Sequence, residues 1–217
     1  MGQLIAGVDE SGRGCVLGPL VLCIASIAEE REPELKRMGA KDSKLLSPAL
    51  REALCPKLKK KLCGFATVHV TAEDLNRLMP RHSLNEIEAM KIAEGVRLLK
   101  EPPDRLFADS PDTVARRFAA TINRFLPRNM EIVSEHKADR NYPIVSAASV
   151  IAKVERDAAI REIKREWGVD FGSGYCHDPK TMEFLKSNLD RPEITRYVRK
   201  RWETVARLSQ KSLCDFG

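Results

Sequence analysis

No stretch of this sequence shows zinc-type ligand spacing, resembles a signal peptide or is long and apolar enough to span a membrane. Its six cysteines, at positions 15, 23, 55, 63, 176 and 214, form no C-x-x-C pair, and its four histidines, at 69, 82, 136 and 177, form no H-E-x-x-H. Soft-metal and zincin chemistry are therefore excluded. Scattered thiols of this kind read as small buried hydrophobes in a reducing cytoplasm; a Cys55–Cys63 bridge would require an oxidising or hyperthermophilic setting. No basic leader precedes the first apolar run, and the longest such run, "CVLGPLVLCIASIA", is too short to span a bilayer and contains a proline. The expectation is a soluble cytoplasmic protein with no membrane partner. No G-x-x-x-x-G-K-[ST] occurs, which excludes a P-loop. "GRGCVLG" offers a G-x-G, but the segment after it is strand-like and carries Pro19, where a dinucleotide site needs a helix. Aromatic residues make up only 6% of the chain.

What is present is enough apolar material for a core, 43% of 217 residues, with 31% charged residues and a net charge of +6. That size suits one large domain, or one domain with a small appendage. The positive balance suits a polyanionic partner and equally suits a merely soluble basic protein. Along the chain, "QLIAGVD", "VLGPLVLCIASI", "GFATVHVTA", "RLFADS" and "NMEIVSEHKAD" read as strands. "SLNEIEAMKIAEGVRLLK" and "DTVARRFAATINRF" read as amphipathic helices, the first with a capping-box start. From "YPIVSAASVIAKVERDAAIREIKREWG" onward the pattern is helical, broken by the loop "GSGYCHDP" and ending in "EITRYVRKRWETVARLSQ". The order predicts an α/β fold: a mixed sheet flanked by helices with a small helical C-terminal appendage. The division is expected near residue 170, giving a catalytic domain over 1–170 and an appendage over 171–217.

Three of the predicted strands end on acids: Asp9–Glu10, Asp109, and Asp139 after "EHKA". Open α/β sheets gather their sites where the carboxyl ends of strands open to a crevice. If the strands are neighbours, four carboxylates converge and need a compensating charge, and hard oxygen donors suit Mg²⁺ or Mn²⁺. Taken singly, acids at strand ends are ordinary turn residues, so both readings stand on spacing alone. Side chains of adjacent strand residues face opposite ways, so Asp9 and Glu10 can share an ion only if the strand breaks between them. The Gly-x-Gly turn after them lets backbone groups approach a ligand closely, with Arg13 placed to meet a phosphate.

Five stretches together resemble one family. "VDESGRG" is similar to the opening motif of type 2 ribonucleases H, "KDSKLLS" (41–47) to their Asp-Ser-Lys motif, and "EHKADRNYPIVSAASVIAKVERD" to their long signature. "GSGYCHDP" is similar to their Gly-Tyr-x-x-Asp-Pro loop, with Cys176 and His177 in place of the usual Pro-Ser, and "RKRWETV" resembles the C-terminal helix of archaeal members. The resemblance implies a ribonuclease H-like core and an endoribonuclease that hydrolyses the RNA strand of RNA–DNA hybrids. It also implies incision 5′ of ribonucleotides embedded in duplex DNA, leaving 5′-phosphate and 3′-hydroxyl ends. By the same resemblance Asp9, Glu10, Asp109 and Asp139 are the catalytic, metal-holding carboxylates of a two-metal site for Mg²⁺ or Mn²⁺, with Asp139 also a candidate for assisting proton movement. Gly12, Arg13 and Gly14 would read the 2′-hydroxyl, Tyr175 would pack on the next sugar, and Lys44 would meet a phosphate. Lys41 and Lys153 are weaker phosphate candidates, and the basic residues Arg196, Arg199, Lys200, Arg201 and Arg207 suggest a face for duplex backbone. A monomer is expected, and a sliding-clamp contact is possible in the family, although "SQKSLCDFG" is an imperfect clamp-binding box. Two other readings stay open: another metal-dependent nuclease of the same fold superfamily, and a non-catalytic hybrid-binding module.

Overall fold

The short apolar run that opens the chain becomes the middle strand of a sheet. The computed structural model describes residues 2–40 and 46–214. In chain order the elements are β1 (Leu4–Ser11), β2 (Leu20–Ala28), α1 (Glu32–Arg37), α2 (Pro48–Lys61), β3 (Gly64–Val70), α3 (Ala72–Leu78), α4 (Leu84–Leu98) and β4 (Arg105–Asp109). They continue with α5 (Ala115–Phe125), β5 (Glu131–Glu135), α6 (Ala138–Asn141), α7 (Pro143–Trp167), α8 (Pro179–Asn188), α9 (Pro192–Thr195) and α10 (Glu203–Cys214). The mixed sheet expected from the sequence is present, in the order β3-β2-β1-β4-β5.

β1 runs antiparallel to β2, from Leu4 opposite Ala28 to Ser11 opposite Val21. β4 lies parallel to β1, and β5 parallel to β4. The inner strand β2 buries both faces, which is why it reads as a continuous apolar run, whereas the edge strand β3 alternates. α4 starts at a capping box in which Ser83 and Glu86 satisfy each other's backbone N–H groups. α7 begins on Pro143, whose missing N–H costs nothing in a first turn.

Small residues let α7 lie directly on β1. A Cβ added to Gly7 would stand 2.5 Å from the backbone carbon of Ile144 and the nitrogen of Val145. Ser146, Ala147, Ala148 and Ser149 are all fully buried in the same helix. No bulkier pair permits this approach, and the register of α7 against the sheet is set by it.

The chain divides into two compact units: residues 1–11, 21–68 and 83–155 form the first, and 12–20, 69–82 and 156–217 the second. The core of the first unit includes Ile5, Cys23, Ile27, Leu58, Phe107, Ile144 and Ile151. That of the second includes Val16, Leu17, Ile160, Phe171, Leu185 and Val198, with Trp167, Phe184 and Tyr197 packed against them.

Three expectations are corrected. The second strand starts at Leu20 and not at Val16, because the N–H groups of Val16 and Leu17 both donate to the carbonyl of Gly174. The last helix is two pieces, α9 and α10. Between them Leu17 and Val198 form a β-bridge, the N–H of Arg199 donates to Val16 and the carbonyl of Tyr197 accepts from Gly18, which removes those groups from any helix. β5 stops at Glu135, so Asp139 lies not at a strand end but in α6. The cysteines 15, 23, 55, 63 and 176 are free thiols, so no Cys55–Cys63 bridge forms. No helix among the described residues is long and apolar enough to cross a membrane.

Candidate active site

Register alone brings two of the four acids together. Val8 pairs with Ala108 across the parallel β1–β4 ladder, so the next residues, Asp9 and Asp109, stand side by side at the carboxyl ends of adjacent strands. Asp9 is buried, at 7% exposure. Burial pushes its carboxyl from 3.8 up to about 6, and Asp109 adds to the rise; Lys153, a hydrogen bond from Ser149 and the N–H of Glu10 oppose it. The Glu10 N–H donates to Asp9 Oδ1 at 2.8 Å. Ser149 and Lys153 lie one turn apart on α7, and Lys153 Nζ donates to Ser149 Oγ at 2.6 Å. The helix that Gly7 admits so closely thus supplies a hydroxyl and a positive charge to the buried carboxylate.

The third acid arrives through a turn. After β5 the backbone of Lys137 adopts φ 61°, the left-handed conformation and the one such non-glycine residue among those described. This turn aims the N–H of Ala138 at Asp109 Oδ1, 2.9 Å away, and the following residue, Asp139, is 2% exposed. One hydrogen bond therefore ties the start of α6, which bears Asp139, to the carboxylate beside Asp9.

Glu10 is the next residue along β1. β1 remains paired with β2 through Ser11, so the break between Asp9 and Glu10 that a shared ion would need does not occur. Alternation sends the two side chains to opposite faces. Cys23, the antiparallel partner of Asp9, is a nearby sulfur the sequence reading left aside as core. Burial raises its thiol far above the ordinary range.

Among the described residues no group of three or more His, Cys, Asp or Glu side chains converges tightly enough to hold a metal ion. The donor chemistry nevertheless fits a hard divalent cation. Two carboxylates share one buried end of the sheet, at a cost visible in the raised Asp9, and the donor atoms they offer are hard oxygens.

The second unit holds the expected sugar-reading elements. Gly12 has φ 84°, and a Cβ there would stand 2.6 Å from Arg156 Nε and 2.8 Å from the carbonyl oxygen of Pro19. The N–H of Cys15 returns to the carbonyl of Gly12 at 3.2 Å, closing a turn over Gly12-Arg13-Gly14. Gly14 is exposed, with nothing within 4 Å of where a Cβ would be. Tyr175 pairs by a β-bridge with Cys15, and its half-buried ring lies under the Arg156 guanidinium at 4.8 Å. Burial first, and the neighbouring Cys15 second, push its hydroxyl up to about 12.

Three further residues carry no role in the sequence: Ser149 and Arg156 sit inside the quoted signature, and Asp178 sits in the glycine-rich loop. Asp178 accepts from the N–H and hydroxyl of Ser173 at 2.6 and 2.7 Å and caps α8 through the N–H of Lys180. These bonds hold its carboxyl down at about 2. Arg199, counted in the basic face, is fully buried and donates to the carbonyls of Gly18 and Arg13, so it is a brace and not a phosphate contact. Lys41 and Lys44 lie outside the described residues, as does the end of the clamp-like segment, 215–217.

The ribonuclease HII family model matches residues 6–205. Ribonuclease HII of Archaeoglobus fulgidus is 43% identical over 211 residues, covering 97% of this chain and 99% of that protein. Among solved structures, the ribonuclease H2 from Pyrococcus horikoshii superposes with a TM-score of 0.85 at 42% identity, over 96% of this chain and 98% of that one. The ribonuclease HII in a PCNA complex from Archaeoglobus fulgidus gives 0.83 at 40% identity, over 92% and 95% of the two chains. A match of this length and identity, falling on the strands and helices that carry the acids, makes the chain a member of the ribonuclease HII family, nucleases that cleave the RNA strand of RNA–DNA hybrids.

Proposed function

We propose that this chain hydrolyses the RNA strand of hybrids and also cuts duplex DNA on the 5′ side of a single embedded ribonucleotide. The observation that carries the reading is the pairing of Asp9 with Asp109 at the ends of neighbouring parallel strands, with Asp109 tied to the start of α6, which bears Asp139. Two like charges held side by side in a buried site cost stability, and a chain that only bound hybrids would gain nothing from keeping them.

Asp9, Asp109 and Asp139 would hold divalent metal, Mg²⁺ or Mn²⁺, with Glu10 joining them just past the last β1–β4 pair. Divalent ions held by these residues would supply the chemistry of lowering the pKa of a water and stabilising the leaving oxygen. The protein's own part is to orient these oxygens. Ser149 and the Glu10 N–H fix the Asp9 carboxylate, and the Ala138 N–H fixes that of Asp109. Lys153 offsets part of the negative charge before any cation arrives.

Ribose is told from deoxyribose by its 2′-hydroxyl, a donor and acceptor at once. The backbone of the Gly12–Gly14 turn, exposed at Gly14, would supply both kinds of group, with Arg13 for a phosphate. The Tyr175 ring packs on the following sugar, where a deoxyribose fits best. A clamp partner, as in the Archaeoglobus fulgidus complex, is a further reading for this chain.

The test is cleavage of a DNA duplex with one ribonucleotide beside an all-DNA duplex, in Mg²⁺, Mn²⁺ or chelator, by wild type and Asp109→Asn. A single metal-dependent cut 5′ of the ribonucleotide, lost in the variant, supports the reading. Binding of both duplexes with cleavage of neither refutes it in favour of a binding module.

A further inference from the structure

Arg156 is buried to 4% exposure within the second unit, yet it is a full charge. Placing a guanidinium there is costly, and the hydrogen bonds that offset the cost run from Nη2 to the sugar-reading elements, while Nε is buried without a partner among the described residues. Nη2 donates to the carbonyl of Ser173 at 2.6 Å, in the loop that leads into Tyr175, and to Cys15 Sγ at 2.9 Å, on the strand segment that leads out of the Gly12–Gly14 turn. The guanidinium plane covers the Tyr175 ring at 4.8 Å, and Nε stands 2.6 Å from the point a Gly12 Cβ would occupy. Cys15 in turn meets the Tyr175 hydroxyl. Nη1 lies 3.7 Å from Oδ1 of the neighbouring Asp157.

We propose that Arg156 is the positioning residue for ribose discrimination: it fixes the Tyr175 ring and the Gly12–Gly14 turn relative to each other, so that one sugar and the next are read at a set spacing. The inference rests on the roles assigned above to Tyr175 and the glycine turn. Lysine cannot replace it, because a point charge cannot reach a carbonyl and a sulfur at once while stacking flat on a ring. Cys15 is the second post of the device, since its sulfur accepts from Arg156 and its backbone pairs with Tyr175.

The experiment compares kcat/KM on a DNA duplex with one ribonucleotide against a long RNA–DNA hybrid, for wild type, Tyr175→Ala, Arg156→Lys, Cys15→Ala and the Arg156→Lys/Tyr175→Ala double variant, each with a thermal melt. Loss of one desolvated stacking and hydrogen-bonding contact predicts a fall of roughly tenfold in the single-ribonucleotide-to-hybrid ratio for Arg156→Lys. Cys15→Ala falls in the same direction by less. The double variant falls no further than Tyr175→Ala alone, because the arginine acts through the ring. A general structural defect would lower both substrates together and leave the ratio unmoved, and that outcome overturns the proposal. So does a double variant whose losses multiply. Where Arg156→Lys melts below the assay temperature, Cys15→Ala decides: a wild-type ratio there overturns the proposal. An unchanged ratio in Tyr175→Ala removes the reading of Tyr175 itself and the proposal with it, whereas a fall in Tyr175→Ala beside an unchanged Arg156→Lys removes only the role of Arg156.

Discussion

Replacing Asp9 with asparagine should stabilise the metal-free protein, and only at neutral or alkaline pH. The Asp9 carboxyl is pushed from 3.8 up to about 6, chiefly by burial and then by Asp109. An acid raised in the folded state holds its proton there to higher pH than in the unfolded chain. The folded state therefore binds the extra proton between about pH 4 and 6, and stability falls as pH rises through that window. Above it, the ionised carboxylate costs the fold roughly 3 kcal/mol, at about 1.4 kcal/mol for each factor of ten. The attraction of Lys153 is already contained in that net cost, because it opposes the same rise. Asparagine keeps the shape and an oxygen to accept from the Glu10 N–H, and it has no charge to lose. For a chain of this length about 3 kcal/mol corresponds to roughly 6–12 °C in Tm. The assay is thermal unfolding by circular dichroism in chelator, at pH 8 and near pH 4. Asp9→Asn should melt well above wild type at pH 8 and level with it near pH 4. An equal gain at both pH values, or a lower Tm at pH 8, would refute the argument that burial of charge governs this site.

The same carboxylates make the complementary prediction that Mg²⁺ raises the Tm of wild type at pH 8 and raises that of Asp9→Asn far less, read in the same melts. Gly7→Ala should destabilise by about 1–3 kcal/mol, because the new methyl meets the backbone of Ile144 and Val145, which cannot turn away. It should also slow cleavage, since moving α7 moves Ser149 and Lys153; denaturant unfolding with an activity assay checks both. Asp178→Ala should cost about 1 kcal/mol as a lost N-cap, and more through the freed Ser173. Because the Asp178 carboxyl is held down at about 2, its contribution is full above the ordinary carboxylate range and disappears as pH falls towards 2. The melting difference between wild type and variant should therefore close in acid.

How much of this was legible in advance depends on how local the cause is. The strands at 4–11, 64–70 and 105–109 and the helix from Ser83 arise from apolar period and capping chemistry, both properties of short windows. α2 escaped notice because its stretch "PALREALCPKLKKK" has no marked apolar stripe; it is nucleated by Ser47, whose hydroxyl accepts from the N–H of Leu50. The broken end of the long C-terminal helix was beyond any local signal, since its backbone is claimed by Val16 and Gly18, some 180 residues away in the chain. Arg199 shows the same limit. In sequence it is one basic residue in a run, and only the fold buries it beneath two carbonyls.

By itself the sequence determined the kind of chemistry: hard acids at strand ends, no convergent sulfur or imidazole motif, a glycine turn beside the first pair, and motifs in one family's order. It did so because residue type sets donor hardness and charge whatever the fold. The tertiary structure alone decided which acids are neighbours, through the parallel β1–β4 register, and which one bears the cost of burial. It likewise separated the faces of Asp9 and Glu10 through strand pairing that continues past both. Gly7 became the contact that seats α7, and Arg156 the charge over the Tyr175 ring. Dielectric environment, register and partner geometry belong to segments distant in the chain, and no window of sequence contains them.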